Sequence, residues 1–202
     1  MDNEIIAAFN QYQAAQRLSP KTIKTRESLI RTFTTQTGIP VSEASPADLR
    51  AHIGRSTIKP GTARAERNAL RAFYQFAVTD GYLEHNPADR LPIVKVPKGE
   101  PRPFTVEQIN LLLHSGAYAR TRAMIMLGYL QGFRVAQIAR VEGHHIDPVT
   151  DTIITVAKGG KERVLPLHPD IKQLAATMPT GYWFPARGGQ GHIQPGAVSD
   201  HA

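Results

Sequence analysis

Arg134 follows Gly132-Phe133 and precedes Val135, so a permanently charged guanidinium is set among apolar neighbours and needs a strong partner. Its planar fork can bond two oxygens of a phosphate at once. Lys158 stands 24 residues further on, in Ala157-Lys158-Gly159-Gly160-Lys161, with Glu162 and Arg163 behind it. An ammonium group whose pKa is lowered by neighbouring cations can give a proton to a departing oxygen. Residues of these two types could hold a phosphate and protonate a departing oxygen. The plainer alternatives are an ion pair at a helix end for Arg134 and an exposed turn lysine for Lys158.

A second set, Glu142, His144, His145, Asp147 and His168, suggests a metal-dependent phosphoesterase. Its spacing is irregular, no His-x-x-x-His helix is present, and every member lies beside a turn. No metal and no cofactor is expected.

The elements that must position these groups can be read around them. Leu127, Leu130, Phe133, Ile138 and Val141 form an apolar segment interrupted by Gly132, and Asp147-Pro148 marks a turn. Ile153, Ile154 and Val156 then predict a short buried strand, and Val164 and Leu165 a second. The paired glycines between them supply the positive φ of a tight hairpin, with Lys158 and Lys161 at its tip. Upstream, Thr105-Val106-Glu107-Gln108 is a capping box opening a helix through Ile109, Leu112 and Leu113. The next helix, 119–131, is expected to bury Met124, Ile125, Leu127 and Leu130. Downstream, His168-Pro169-Asp170 starts a helix through Leu174, and Tyr182-Trp183-Phe184-Pro185 is expected as an aromatic plug in the core rather than a base-stacking platform.

The first half of the chain reads as helices. Ile5, Ile6, Phe9 and Tyr12 fall at helical spacing, and Ser19-Pro20 is a cap-then-proline start for a second helix to about residue 35, with Ile23, Leu29, Ile30 and Phe33 apolar and Lys21, Lys24 and Arg31 left for solvent or a polyanion. Gly38-Ile39-Pro40 ends it. Ser45-Pro46 repeats the signal for a short helix through Leu49 and Ile53. A fourth helix, from about Thr62 to Thr79, buries Leu70, Phe73, Tyr74 and Ala77 and stops at Asp80-Gly81. Arg64, Arg67 and Arg71 recur on it at three- and four-residue intervals, which predicts one arginine face. That face is either a phosphate-contacting stripe or an ordinary solvated one, partly paired with Glu66 or Glu27. From His85 to Pro103 five prolines and the lack of a helical period predict an extended, semi-rigid linker.

Composition bounds the rest. A hydrophobic content of 41% suffices for packed cores, and the lack of cysteine rules out disulfides and thiolate metal sites. No run approaches the roughly 18 apolar residues of a membrane helix, and the start MDNEIIAAF lacks the basic opening of a signal peptide, so a cytoplasmic protein is expected. The net charge of +7 is spread over both halves, with 14 basic against 10 acidic residues in 1–100 and 10 against 7 in 101–202. Both halves suit a polyanionic partner.

The order Gly-Phe-Arg-Val, strand, Lys-Gly-Gly-Lys-Glu-Arg, strand, Pro-Leu resembles the start of the catalytic domain of the tyrosine recombinases, the phage integrases and Xer-type resolvases. Four helices followed by Asn86-Pro87 and a proline-rich linker resemble the family's core-binding domain. The resemblance covers nearly the whole chain. It implies a mainly α fold with a small β-hairpin or sheet: a helical, SAM-like core-binding domain at 1–84, a linker at 85–103, and part of an α+β catalytic domain at 104–202. It further implies a bacterial or phage-encoded, nucleoid-associated protein acting on double-stranded DNA in DNA integration and recombination, as homotetramers on paired sites and without metal or membrane. The two domains would close around the duplex as a C-shaped clamp. Arg134 then takes the position of the family's first catalytic arginine and Lys158 that of the hairpin lysine acting as general acid. Lys161 and Arg163, with Lys21, Lys24, Arg64, Arg67 and Arg71, are expected on the DNA backbone.

Two departures stand out. Gln137 replaces the Glu often found three residues after the catalytic arginine, which exchanges an anionic partner for a neutral one. The family's His-x-x-Arg, the following His or Trp and the nucleophilic Tyr lie well beyond the aromatic plug, and no counterpart follows Phe184 here. Tyr182 lies upstream of where they begin and is not expected to serve. The chain therefore reads as truncated in mid-domain, without an arm-binding domain, and either inactive in cleavage or a DNA-binding module that competes for recombination sites.

Overall fold

The computed structural model describes residues 2–156 and 160–201, with the backbone alone at 200 and 201. The fold is mainly helical with one small antiparallel sheet, in two compact units, 1–101 and 102–202.

The first unit comprises α1 (Asp2–Ala15), α2 (Pro20–Thr37), α3 (Pro46–Gly54) and α4 (Pro60–Thr79). The boundaries follow local chemistry. Ser19 accepts from Thr22 N at the start of α2, and Ser45 exchanges bonds with Asp48 in a capping box at the start of α3. Each such cap is worth about 1 kcal/mol. Gly38, at φ 71°, closes α2 in the left-handed conformation that costs glycine least. The four helices bury Ile5, Ile6, Phe9, Ile30, Phe33, Leu49, Ile53, Leu70, Phe73, Tyr74 and Ala77 against one another, with Phe9 edge-on to Phe73. The Tyr74 hydroxyl donates to the Val41 carbonyl at 2.6 Å, and burial raises its pKa.

Packing in this unit runs past residue 84. Ala88 and Leu91, in the stretch expected to be linker, are buried in the same core. The fixing contact is Arg67: it is only 8% exposed, and its Nε donates to the Pro92 carbonyl at 2.6 Å and its Nη2 to the Leu91 carbonyl at 3.0 Å.

The second unit begins with α5 (Val106–His114), opened by the Thr105–Gln108 capping box, and α6 (Ala119–Leu130). Then come the single turn α7 (Val135–Ile138), a 3-10 turn at Gly143–His145, strands β1 (Ile146–Asp147), β2 (Thr152–Val156) and β3 (Glu162–Pro166), and helices α8 (Pro169–Ala175) and α9 (Pro195–His201). The sheet order is β1-β2-β3, antiparallel throughout. Its core gathers Met124, Leu127, Phe133, Ile138, Val141, Ile153, Ile171, Trp183 and Phe184, with Val198 of α9.

The strands correct three expectations. The sheet has a third, unexpected strand, β1, which leads into the expected turn at Asp147-Pro148. On β2 the buried side chains are Ile153 and Thr155, not Ile153, Ile154 and Val156 together, because successive side chains of a strand face opposite ways. On β3, Val164 is 65% exposed. In the second half of the chain, Ile125 and Leu130 are half-buried, and α9 was not anticipated.

Candidate functional site

Arg134 is the last residue before α7 and is exposed. Gly132, at φ 67°, turns the chain out of α6, and Phe133, buried in the core, anchors the turn. Two glutamines clamp the segment from either side. Gln131 donates from Nε2 to the Pro166 carbonyl at 2.6 Å and accepts from His168 N at 3.2 Å, which ties the end of α6 to the end of β3. Gln137 accepts from the Arg134 backbone N–H at 3.0 Å and donates to the Thr155 hydroxyl of β2 at 3.1 Å. Thr155 is buried, so this bond satisfies a polar group that would otherwise lack a partner. Gln137 thus fixes the backbone that carries Arg134 rather than the guanidinium itself. Among the described residues, that guanidinium has neither a hydrogen bond nor an ion pair. Gln131 carried no signal in the sequence, since its partners lie 35 and 37 residues away.

Lys158 lies outside the described residues. Gly160, at φ 78°, has the backbone expected of the hairpin. Lys161 and Arg163 are both exposed. Arg163 pairs with Thr155 across the sheet, which places it on the same face as Thr155 and hence on the face turned towards α7.

Beside this lies a cavity of about 270 Å³ lined by Gln137, Arg140, Glu142, Thr155, Tyr182 and His192, among others. Tyr182 belongs to its wall, half-buried, while Trp183 and Phe184 are in the core, so the aromatic plug divides.

The five groups weighed as a phosphoesterase centre do not come together. Asp147 accepts from Thr150 N and Val149 N in its own turn; hydrogen bonding from Thr150 first, then from Val149, holds its carboxyl below the ordinary range. His168 accepts from Asp170 N at the start of α8. Glu142, His144 and His145 do converge, with ligand atoms all within 4.8 Å of one another.

In the first unit, Lys21, Lys24, Arg64 and Arg71 are exposed. The three-arginine stripe is corrected at Arg67, whose guanidinium is spent on the carbonyls of Leu91 and Pro92. Arg31 is paired with Glu27 at 2.8 Å and bonded to Asn3. Glu66 does not pair with the arginines of its own helix; both its oxygens take the guanidinium of Arg55, at 2.6 and 2.8 Å. His52, Ile53, Gly54 and Arg55 spell His-x-x-Arg, but His52 is buried beside Glu66 and Arg55 is held by it, so the string does structural work here.

No family model matches the chain. In sequence it is similar to tyrosine recombinase XerC of Shewanella amazonensis, 29% identical over 168 residues covering 79% of this chain and 57% of the relative. It is also similar to tyrosine recombinase XerD of Caulobacter vibrioides, 26% identical over 190 residues covering 83% and 62%. The chain thus spans about three-fifths of the length of these curated relatives. Among solved structures, a lambda integrase tetramer bound to a Holliday junction matches 98% of this chain and 63% of that one, with a TM-score of 0.76 at 16% identity. That likeness is one of fold. Among the described residues no helix is long and apolar enough to cross a membrane.

Proposed function

We propose, for a chain that is a sequence relative of the tyrosine recombinases and has the integrase fold, that it binds duplex DNA with both of its units and presents Arg134 and Lys158 to a scissile phosphate. The observation that carries this reading is Arg134: an exposed guanidinium without a protein partner among the described residues, on a backbone clamped by Gln131 and Gln137. The backbone that carries this cation is already held in place, so only the side chain has to be ordered when it meets a phosphate. The electrostatic footprint is that of a DNA-binding protein, with exposed Lys21, Lys24, Arg64 and Arg71 in the first unit and Lys161 and Arg163 in the second.

In this reading residues 1–84 act as the core-binding domain with 85–92 packed on it, the rest of 85–103 as the connection, and 104–202 as the catalytic domain's first part. The relatives' names and the junction-bound tetramer of lambda integrase favour DNA recombination in tetramers for the whole protein, and the resemblance of its motifs adds site-specific transesterification on the nucleoid to that reading. Within this stretch Arg134 and Lys158 are two members of a catalytic set whose parts act as a unit.

The test is binding of a fluorescent duplex across a salt series, by anisotropy. Affinity should fall steeply with salt, and Arg64→Ala with Arg71→Ala should flatten the slope of log K against log salt by up to about 0.9 for each lost phosphate contact. An unchanged slope means that these arginines face only solvent. A covalent adduct with a nicked duplex that maps to Tyr182 would overturn the assignment of roles.

A further inference from the structure

We infer that Glu142, His144 and His145 form a binding site for a late first-row divalent cation of the zinc class. The three ligands come from four consecutive residues, and the backbone between them is fixed before any ion arrives. Gly143 N donates to the Gly181 carbonyl at 3.0 Å, His144 N to the Thr180 carbonyl at 2.9 Å, and His145 N to the Glu142 carbonyl at 3.1 Å. Glu142 also bridges Tyr182 in an isolated antiparallel pair. Gly143 is what permits this approach: a Cβ there would meet the Pro179 carbonyl oxygen and lie 2.7 Å from Thr180 Cα. The 3-10 turn pressed against Pro179–Gly181 therefore holds both imidazoles on the same side as the carboxylate.

The side chains are close to a coordinating arrangement. Their ligand atoms lie within 4.8 Å of one another, and His144 Nδ1 is already 3.5 Å from Glu142 Oε2. Bonds of about 2.0–2.1 Å to a tetrahedral ion place ligand atoms roughly 3.3 Å apart, so small side-chain rotations complete the set. The two rings meet edge to face with centroids 4.5 Å apart. The carboxylate has a reason to accept a cation: the Glu142 side chain is 20% exposed, and its only ion pair among the described residues is with His144.

Two imidazoles and one carboxylate suit zinc and its neighbours better than magnesium or calcium, which prefer oxygen ligands throughout. Three protein ligands leave a position open, and Glu142 and His145 both line the cavity beside Gln137 and Thr155. His192, on the same wall, has its Nδ1 2.6 Å from the Ile193 carbonyl and so donates there, which leaves Nε2 as an acceptor facing no assigned partner. The ion would brace the segment that leads from α7 into β1. This site needs neither DNA binding nor the recombinase reading.

The experiment is isothermal titration of the chelator-treated, dialysed full chain with zinc chloride at pH 7.5, and separately with magnesium chloride. One zinc should bind per chain, with magnesium silent. His144→Ala, His145→Ala and Glu142→Gln should each weaken zinc at least tenfold, while His168→Ala leaves it unchanged. Circular dichroism confirms that the variants fold, and His144, exposed, is the safest of them. The inference is overturned if the wild-type chain takes up no zinc, or if the double variant His144→Ala, His145→Ala binds it with unchanged stoichiometry and affinity.

Discussion

Replacing Arg67 separates a structural arginine from the nucleic-acid-facing ones on the same helix. Its guanidinium makes two charge-assisted bonds to backbone carbonyls, each worth about 1.5–3 kcal/mol. Pro92 is exposed, and its carbonyl can find water once the arginine is gone, so the lower value applies there. Leu91 is buried, and its carbonyl is left without a partner. Arg67→Met, which keeps most of the apolar stem, should therefore cost about 3–4.5 kcal/mol. With a urea m-value of about 2 kcal/mol/M, that lowers the midpoint of the first unit by roughly 1.5–2 M. Far-UV circular dichroism is weighted towards the long helices of this unit, and Trp183, the single tryptophan and buried in the second unit, reports that unit separately by fluorescence. Arg64→Met and Arg71→Met, exposed, should stay within about 0.5 kcal/mol of the parent. The reasoning is refuted if Arg67→Met leaves the dichroism midpoint in place, and it fails more sharply if that variant loses DNA affinity at full stability.

Acid should loosen the first unit through His52. Burial, and less strongly Arg55, depress its pKa against the raising influence of Glu66, so the folded imidazole stays neutral while the unfolded one takes up a proton below about pH 6.5. Stability attributable to His52 is thus whole above that pH and falls as pH drops towards the depressed value; the difference in urea midpoint between pH 7.5 and 5.5 should shrink in His52→Gln, and a midpoint that rises on acidification would instead mean an imidazolium paired with Glu66. Gly143→Ala should cost the second unit about 1–3 kcal/mol by overpacking against Pro179 and Thr180, read from the Trp183 transition, and an unmoved transition contradicts the close approach. Gln137→Ala should cost about 1–3 kcal/mol because it strands the Thr155 hydroxyl, whereas Gln137→Glu keeps an acceptor for both partners and should lie nearer the parent; equal losses in the two variants would show that the clamp on Arg134 is not made this way.

What could be read in the sequence was local. Ser19, Ser45 and Thr105 cap helices through bonds spanning three residues, and all three caps are present. Arg67 was misjudged because spacing alone was read, without the angle to the buried face. At about 100° per residue, Arg67 lies only some 20° round the helix from Tyr74, at the edge of the apolar arc, and Arg71 some 40° further out. The same geometry puts Glu66 about 20° from Phe73, so a carboxylate in the middle of the buried face had to find a cation, and Arg55, just past the end of α3, supplies it.

Which face of β2 turns inwards was beyond the sequence. Thr152 to Val156 are all β-branched, so composition fits either face, and choosing the isoleucines and valine as buried ignored their alternation. Thr155 can turn inwards because Gln137, 18 residues earlier, donates a hydrogen bond to its hydroxyl. Glu142, His144 and His145 stand out in the sequence as possible ligands, and their irregular spacing is what argues against them there. Spacing rules for metal sites assume that a helix or strand presents the ligands, and Glu-Gly-His-His fits neither period. Its geometry comes from a turn packed against residues nearly forty positions away, at a place where a missing Cβ lets two backbones touch. Irregular spacing argues against a site only when the scaffold is regular.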